Sequence, residues 1–340
     1  MATLASRVAL ASLLGALDHP GPLVILPHDN PDPDALASAA ALKYMFAALA
    51  RKEAQIALGG IVGRAENRAM LTYLNITLVP VGEMAFNRNT AVVLVDTQPG
   101  RINNSLPEGI VPAAVVDHHP AYGDYPGVPF LDLRDQYGAT STIVTEYLRE
   151  SKLVPEPKIA TALFYGISAE TQDLGREATA ADIEASHFLY PYTNKRRLAK
   201  IENARVPREY FRVFREAIER AALYDKVVVS LLGELQYPDM VAEVADFLLR
   251  LDQVEWAAAI GTFGSCLHCS IRTIDREVNA GDLLQRVLGS RSAGGHDMIA
   301  GGRLQVGEDP AARERAAAMV RDRLLGALGV DPAIGQPLVG

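Results

Sequence analysis

Short apolar runs separated by long connections constrain the fold of this 340-residue chain more than any other feature. Residues 23–26, 54–58, 91–95 and 113–116 are rich in Val, Ile, Leu and Ala and have the length of buried strands. The segments between them are long enough for the crossover connections that parallel strands require. The pattern therefore predicts an α/β fold built on a parallel sheet.

A strongly charged segment, residues 195–222, interrupts this pattern near the middle of the chain. Its apolar residues are spaced helically and Pro207 breaks it, which predicts a pair of linker helices. Further β-type runs follow at 226–232, 256–263 and 267–273. The predicted regions are a first domain (1–193), a helical linker (194–224) and a second, smaller α/β domain (225–340).

Composition argues against several classes of function. The 41 acidic residues outnumber the 33 basic ones, and a formal net charge of −8 provides no basic field for duplex DNA. No apolar run approaches the roughly 20 residues that cross a bilayer, so no membrane role is expected. Two cysteines are too few for a disulfide framework and favour a reducing compartment, so the expected location is the cytoplasm.

Potential metal ligands follow three of the predicted strands. The first strand runs into a proline-stiffened loop with His28, Asp32 and Asp34, the second ends at Asp96, and the third ends at residues 117–119. Carboxyl ends of parallel strands meet at one edge of a sheet, so these side chains are expected to converge. Taken alone, Asp34 could be a helix N-cap and Asp32 a turn residue. Repetition at three strand ends favours a metal site.

The ligand chemistry indicates which ions such a site would hold. Imidazole and carboxylate without thiolate favour Mn²⁺, Mg²⁺ or Co²⁺ over structural zinc. The ligands exceed the needs of one ion. Two ions that share a carboxylate lie about 3.5–4 Å apart and act on both oxygens of a phosphoryl displacement. Asp96, alone at the end of the central strand, is the expected bridge.

Several motifs in chain order resemble those of the DHH phosphoesterase superfamily. They are the run His28–Ala35, the lone Asp96, the triplet Asp117-His118-His119 and the segment 166–171. The glycine-rich stretch 294–301 is similar to the signature of the associated DHHA1 domain, so the resemblance covers nearly the whole chain. In architecture, the RecJ-related nano-RNase and pAp-phosphatase enzymes are the most similar members.

The resemblance implies a ligand set for each of two ions. The residues implied for the first ion are His28, Asp32 and Asp96. Those implied for the second are Asp34, Asp96, His118 and Glu170. Glu170 stands where the superfamily usually has aspartate, and Asp173 is a rival for that position.

Two further residues are expected beside the ions without binding them. His119 is expected to supply a hydrogen bond or a proton near the scissile phosphate, which suits the pKa of an imidazole. Asp117 is expected to fix the orientation of the loop and of the histidine.

Substrate contacts are predicted in the second domain. Gly294 and Gly295 would let backbone amides approach a phosphate, His296 would add a donor, and Arg272 is the candidate for a bidentate phosphate contact. The alternatives are a plain loop for the glycines and a solvated surface position for the arginine. The Arg and His that correspond in DHHA1 domains hold the nucleotide or phosphate end of the substrate, which favours the binding role.

The resulting expectation is a manganese-dependent phosphoesterase that hydrolyses small nucleotidic phosphates with a water activated by two ions. Expected substrates are short single-stranded oligoribonucleotides or the 3′,5′-bisphosphonucleotide pAp. The alternatives are a phosphodiesterase for cyclic or linear dinucleotides, a single-strand exonuclease, and a catalytically silent nucleotide-binding protein. The fold often pairs, so a homodimer is left open.

Overall fold

The computed structural model describes residues 4–18, 20–176, 178–295 and 297–339. The chain forms two units, the first ending at Ala204 and the second beginning at Arg205. None of the helices in the described part of the chain combines the length and the apolar character of a bilayer-crossing segment.

The first unit is built on a six-stranded, all-parallel sheet with the order β3-β2-β1-β4-β5-β6. The strands are β1 (Leu23–Pro27), β2 (Ala54–Leu58), β3 (Leu78–Pro80), β4 (Ala91–Val95), β5 (Ala114–Asp117) and β6 (Phe130–Leu133). Every residue of β1, β4 and β5 is buried, as expected for parallel strands covered on both faces. The order reverses between β1 and β4, where open parallel sheets bind ligands.

Helices surround this sheet. They are α1 (Leu4–Ala16), α2 (Pro33–Met45), α3 (Ala65–Leu74), α4 (Thr140–Ser151), α5 (Pro157–Glu170), α6 (Ala180–Leu189) and α7 (Lys195–Glu202). The alanine-rich α2 is almost wholly buried and packs against α4 and α5. A Cβ on Gly166 of α5 would collide with the Ser141 hydroxyl and lie 3.2 Å from the Asp34 Cα. The glycine therefore lets α5 cross closely over the start of α2.

The second unit has a seven-stranded sheet with the order β11-β12-β10-β9-β8-β7-β13. Its strands are β7 (Ala221–Tyr224), β8 (Val227–Glu234), β9 (Trp256–Phe263), β10 (Cys266–Thr273), β11 (Ala293–Gly295), β12 (Ile299–Gln305) and β13 (Gln336–Pro337). Its helices are α8 (Arg208–Glu219), α9 (Met240–Leu248), α10 (Ala280–Leu288) and α11 (Pro310–Ala327). The predicted α/β class, with a parallel sheet followed by a second α/β unit, is confirmed.

The segment 194–224, predicted as a helical linker, contributes to both units. In the first, α7 packs against α3 and α5 and buries Leu198 and Ile201. In the second, α8 packs on β8 with Ala217 buried, and residues 221–224 pair with β8 as a strand. The difference arises because each charged helix also carries an apolar stripe, which is buried most easily against its own unit.

Candidate metal centre

Asp96 lies at the centre of a cluster formed by the carboxyl ends of β1, β4 and β5. His28 Nε2, after β1, is 3.6 Å from Asp96 Oδ2 and 3.6 Å from Asp32 Oδ2. His118 Nε2, after β5, is 3.5 Å from Asp96 Oδ1. Within the described residues, two groups of possible ligands therefore share Asp96. They are His28, Asp32 and Asp96, and Asp96, His118 and His119.

The spacing of these atoms suits coordination better than direct hydrogen bonding. Good N–H···O bonds are about 2.7–3.2 Å long, shorter than the 3.5–3.6 Å found here. Ligand atoms about 2.1 Å from a shared ion lie roughly 3.0–3.4 Å apart in octahedral or tetrahedral geometry. Small adjustments would therefore let each group hold a divalent cation.

The backbone orients both histidines toward Asp96. The His28 ring lies with Nδ1 2.9 Å from the carbonyl oxygen of Asp29, and the His118 ring with Nδ1 3.1 Å from that of Tyr137. Donation from Nδ1 to a carbonyl directs Nε2 at the ligand position, a usual arrangement for metal-binding histidine. The cluster thus presents both Nε2 atoms as ligand atoms.

Asp96 is held in an uncommon backbone conformation. Its φ of +60° lies in the left-handed region, which costs a non-glycine residue about 1–3 kcal/mol unless the surroundings enforce it. Here the Asp96 N–H donates to the Val116 carbonyl at 2.9 Å, and the Thr140 hydroxyl donates to Asp96 Oδ1 at 2.8 Å. These contacts direct the carboxylate between the two histidines.

Asp34 is tied to the start of α4. Its two carboxylate oxygens accept hydrogen bonds from the backbone N–H groups of Thr140 and Ser141, each at 2.7 Å. Asp32 caps α2 by accepting from Ala35 N at 2.9 Å, so Asp34 does not cap its own helix. It instead satisfies the first amides of a distant helix, whose preceding residue Ala139 has no side-chain acceptor.

Burial and mutual repulsion destabilise the charges of Asp34, Asp96 and Glu170. Burial, and then the neighbouring carboxylates, raise the pKa of Asp96 and Asp34, and the same causes raise the pKa of Glu170 to about 7. Burial alone would also raise the pKa of Asp32, but the adjacent His28 holds that pKa below its usual range. Burial alone would lower the pKa of His28 and His118, but the adjacent carboxylates raise them to about 10 and about 9. Bound cations would relieve this crowding, so the donor set fits a divalent metal site.

Comparison with known proteins agrees with this arrangement. The profile of the DHH family, N-terminal domain, matches residues 22–167, which contain the sheet and most of the cluster. The match covers most of the first unit, which is therefore similar to the N-terminal domain of the DHH family. An uncharacterized protein of Methanocaldococcus jannaschii is 32% identical over 317 residues, covering 91% of this chain and 64% of that protein.

Two other relatives extend the comparison. A probable manganese-dependent inorganic pyrophosphatase of Enterococcus faecalis is 28% identical over 168 residues, which is 49% of this chain and 54% of that protein. The chain thus spans less than two thirds of the length of either sequence relative. An exopolyphosphatase-related protein from Bacteroides fragilis shares the fold, with a TM-score of 0.63, 13% identity, and coverage of 96% of this chain and 98% of that chain.

Glu170 is the last residue of α5 and lies within electrostatic range of the cluster. The half-buried Glu170 interacts electrostatically with Asp32, His118, Asp34 and Asp96. Asp173 is exposed and accepts a hydrogen bond from Ser168. Glu170 and Asp34 lie outside the two closest ligand groups found in the described residues, so the choice between Glu170 and Asp173 as the fourth-motif ligand stays a prediction.

His119 is held by Asp117 at the more open side of the cluster. Asp117 Oδ1 is 2.7 Å from His119 Nδ1 and accepts from the His119 backbone N–H at 3.1 Å. Burial alone would raise the pKa of Asp117, but the His119 ring holds it well below its usual range. The His119 side chain is 32% exposed, against 5% for His118. His119 is therefore the more accessible of the two imidazoles.

Sequence analysis missed two residues that support this geometry. Thr140 contacts both the Asp96 carboxylate and the backbone N–H of His118. Gln98 is fully buried and donates to Asp117 Oδ2 at 2.7 Å and to the His119 carbonyl at 3.1 Å. The position of Gln98 two residues after Asp96 was the only available sequence signal, and it does not identify a contact.

In the second unit, Arg272 is a buried side chain, 6% exposed, so the solvated alternative is wrong. Its Nε donates to Asp246 Oδ1 at 2.5 Å and its Nη1 donates to Ser270 Oγ at 2.7 Å. Both edges of the guanidinium therefore carry hydrogen bonds within this unit, and a bidentate phosphate contact stays a prediction.

The glycines of the second unit form part of a β-hairpin rather than a plain loop. Gly294 pairs with Gly301 and Gly295 pairs with Ala300. A Cβ on Gly295 would collide with the backbone of β12, so close strand packing accounts for this glycine. The predicted donor His296 lies outside the described residues.

Thr140→Val is expected to weaken metal binding about 10- to 100-fold without unfolding the chain, because it removes a hydrogen bond to a ligand while keeping the side-chain shape. Isothermal titration calorimetry with manganese measures the change in affinity. Thr72→Val is the matched control, since the exposed Thr72 hydroxyl only donates to the Arg68 carbonyl within its own helix. Equal affinities in both variants would contradict the role of Thr140.

Proposed function

We propose that this protein is a metal-dependent phosphoesterase that uses two divalent ions, with Mn²⁺ as the expected metal. The observation that carries the proposal is the position of Asp96 between His28 Nε2 and His118 Nε2, at 3.6 and 3.5 Å. The manganese named for the pyrophosphatase relative supports the choice of metal. Small nucleotidic phosphates, such as short oligoribonucleotides and pAp, are the proposed substrates.

In this proposal, each group of residues has a distinct task. His28, Asp32 and Asp96 would hold one ion, and Asp34, Asp96, His118 and Glu170 the other. When bound, the two ions would lower the pKa of water and neutralise charge on the phosphoryl oxygens.

His119 would supply a hydrogen bond or a proton near the scissile phosphate. Asp117 lies 2.7 Å from His119 Nδ1 and fixes the ring so that Nε2 is the atom that holds or releases a proton. The buried Asp117 carboxylate also accepts from the His119 backbone N–H at 3.1 Å, so it fixes both the ring and the backbone of this residue.

Arg272, Gly294, Gly295 and His296 are the proposed substrate contacts of the second unit, which resembles a DHHA1 domain. Arg272 supports this in one respect: its guanidinium is held rigidly by Asp246 and Ser270 rather than being free to move in solvent. A rigid guanidinium loses little conformational entropy when a phosphate binds nearby.

Hydrolysis of inorganic pyrophosphate is a second candidate, favoured by the 28% identity to the Enterococcus faecalis protein over 49% of this chain. The deciding experiment is a manganese-supplemented assay of the full chain. It compares oligoribonucleotides from dinucleotides to long single strands with pAp, cyclic dinucleotides and pyrophosphate. Preference for pyrophosphate would reject nucleotidic substrates, and no hydrolysis of any substrate would reject the proposed activity.

Chelation is expected to lower the melting temperature of the protein by several degrees, and manganese is expected to restore it. Ions at 100 times their dissociation constant stabilise the folded state by about 2.7 kcal/mol, and the crowded carboxylates Asp32, Asp34 and Asp96 should make this protein respond. Thermal unfolding with and without chelator measures the shift. Asp96→Asn should abolish most of it, and an unchanged melting temperature in the native chain would argue against a resident metal.

A further inference from the structure

A cation–aromatic pair joins two loops of the first unit: Arg101 lies in the loop that follows β4, and Tyr122 lies in the loop that follows β5. The Arg101 guanidinium lies over the Tyr122 ring, 4.4 Å from its centroid, and the Tyr122 side chain is 47% exposed. Among the residues that the structure describes, no carboxylate lies within 4 Å of the half-buried Arg101. The pair therefore presents an aromatic face and a cation to solvent.

One buried amide connects this pair to the residues around His119. The Gln98 Nε2 donates to Asp117 Oδ2 at 2.7 Å, and Gln98 Oε1 accepts from the Tyr122 backbone N–H at 2.8 Å. Asp117 in turn lies 2.7 Å from His119 Nδ1. The side chains of Gln98 and Asp117 therefore connect the Tyr122 backbone to the His119 ring through a chain of hydrogen bonds.

Hydrogen bonds hold Gln98 in place and connect the loops that follow β4 and β5. Asn104 Nδ2 donates to the Gln98 carbonyl at 2.9 Å and to Thr97 Oγ1 at 3.0 Å, while the Tyr125 hydroxyl donates to Gln98 Oε1 at 2.6 Å. These bonds fix the Tyr122 backbone before a ligand arrives. The Arg101 guanidinium over the Tyr122 ring restricts the ring as well, and a side chain held in this way loses little entropy when it stacks on a ligand.

Other exposed tyrosines of the same unit lack this connection. Lys200 lies over Tyr73 at 5.2 Å and Lys195 over Tyr190 at 3.5 Å, and both pairs are on helical surfaces formed by α3, α7 and the segment after α6. Of these three cation–aromatic pairs, the Arg101–Tyr122 pair is the one whose backbone is hydrogen bonded to Gln98, which in turn donates to the Asp117 carboxylate beside His119. Its position, rather than its chemistry alone, points to a role in binding.

We propose that Tyr122 and Arg101 bind one nucleotide unit of the substrate. The Tyr122 ring stacks on a base, and the Arg101 guanidinium contacts the adjoining phosphate. Stacking on aromatic side chains is the usual way in which proteins hold single-stranded bases, and arginine matches phosphate geometry. The inference rests on the proposed function and narrows its substrates to base-bearing phosphates, since pyrophosphate offers nothing to stack.

The test measures equilibrium binding of two ligands to the full, manganese-loaded chain. One is a dinucleotide with a non-hydrolysable phosphonate linkage, and the other is its abasic counterpart. The native chain is expected to prefer the base-bearing ligand roughly 5- to 100-fold. Tyr122→Ala should remove most of this preference and Tyr122→Phe should retain it. Arg101→Gln should weaken both ligands.

Tyr73→Ala is the matched control, because Tyr73 is also an exposed tyrosine, 39% exposed, with a cation over its ring. It should leave the preference unchanged. A native chain that binds both ligands equally, or a Tyr122→Ala variant that keeps the full preference, would overturn the stacking role. Unchanged affinities in Arg101→Gln would overturn the phosphate contact. A preference lost in Tyr122→Ala, in a chain that hydrolyses no phosphoester, would support the binding platform while rejecting the proposed activity.

Discussion

Asp96→Asn is expected to abolish hydrolysis and to reduce the bound manganese from two equivalents to one or less. Asp96 contributes one carboxylate oxygen toward His28 and the other toward His118, so both ion positions lose a negative ligand. Loss of one catalytic ion removes several kcal/mol of transition-state stabilisation, so turnover should fall at least about 1,000-fold. Steady-state kinetics and elemental analysis of the purified variant measure the two effects.

Asparagine is the appropriate replacement because it keeps the shape of the aspartate side chain and removes its negative charge. Asparagine tolerates the left-handed backbone of this position, and its side-chain oxygen can still accept from the Thr140 hydroxyl. Asp225→Asn is the control, since Asp225 is an exposed aspartate that also has positive φ, in the turn between β7 and β8. Near-normal turnover of Asp96→Asn with two equivalents of manganese would reject the two-ion site.

His119→Asn is expected to lower kcat by about 100- to 10,000-fold while the manganese content stays at two equivalents. The asparagine amide can replace Nδ1 as the donor to Asp117, but it has no group that titrates as the imidazole does. The loop should therefore keep its structure and lose only proton transfer. Turnover under saturating substrate and elemental analysis give the two measurements.

The outcome also distinguishes proton transfer from metal binding by His119. The ring lies within reach of Asp96, with Nδ1 3.7 Å from Asp96 Oδ1, and it belongs to one of the two ligand groups. Loss of manganese in His119→Asn would identify the ring as a ligand and contradict the proton-transfer role. His187→Asn, at an exposed position on α6, is the control for the loss of an imidazole elsewhere in the unit.

Much of the candidate site could be predicted because its residues adjoin predictable strands. His28, Asp96 and His118 directly follow β1, β4 and β5, and the strands are apolar runs whose neighbours are set by crossover connections. Once the sheet is parallel, these three positions must meet at one edge. The prediction needed only local hydrophobic pattern and a general rule of sheet geometry.

The contacts that orient the ligands could not be predicted in this way. Asp34 and Ser141 are 107 residues apart in sequence, and Thr140 and Asp96 are 44 apart. Their hydrogen bonds depend on how closely α4 and α5 pack on α2, which small residues such as Gly166 permit. Similarly, nothing near Arg272 indicates that Asp246, on a separate helix, pairs with it.

The sequence alone determined the α/β class, four of the six strands of the first unit (β1, β2, β4 and β5), and the potential ligands that follow three of these strands. Hydrophobic periodicity and strand polarity are local properties of the chain, so they can be read before folding. Only the tertiary structure decided the division at Ala204, the Asp34–α4 contact and the link from Gln98 to both His119 and Tyr122. Each of these depends on side chains that become neighbours only when helices pack against the sheet, because burial leaves polar groups no partner except one another.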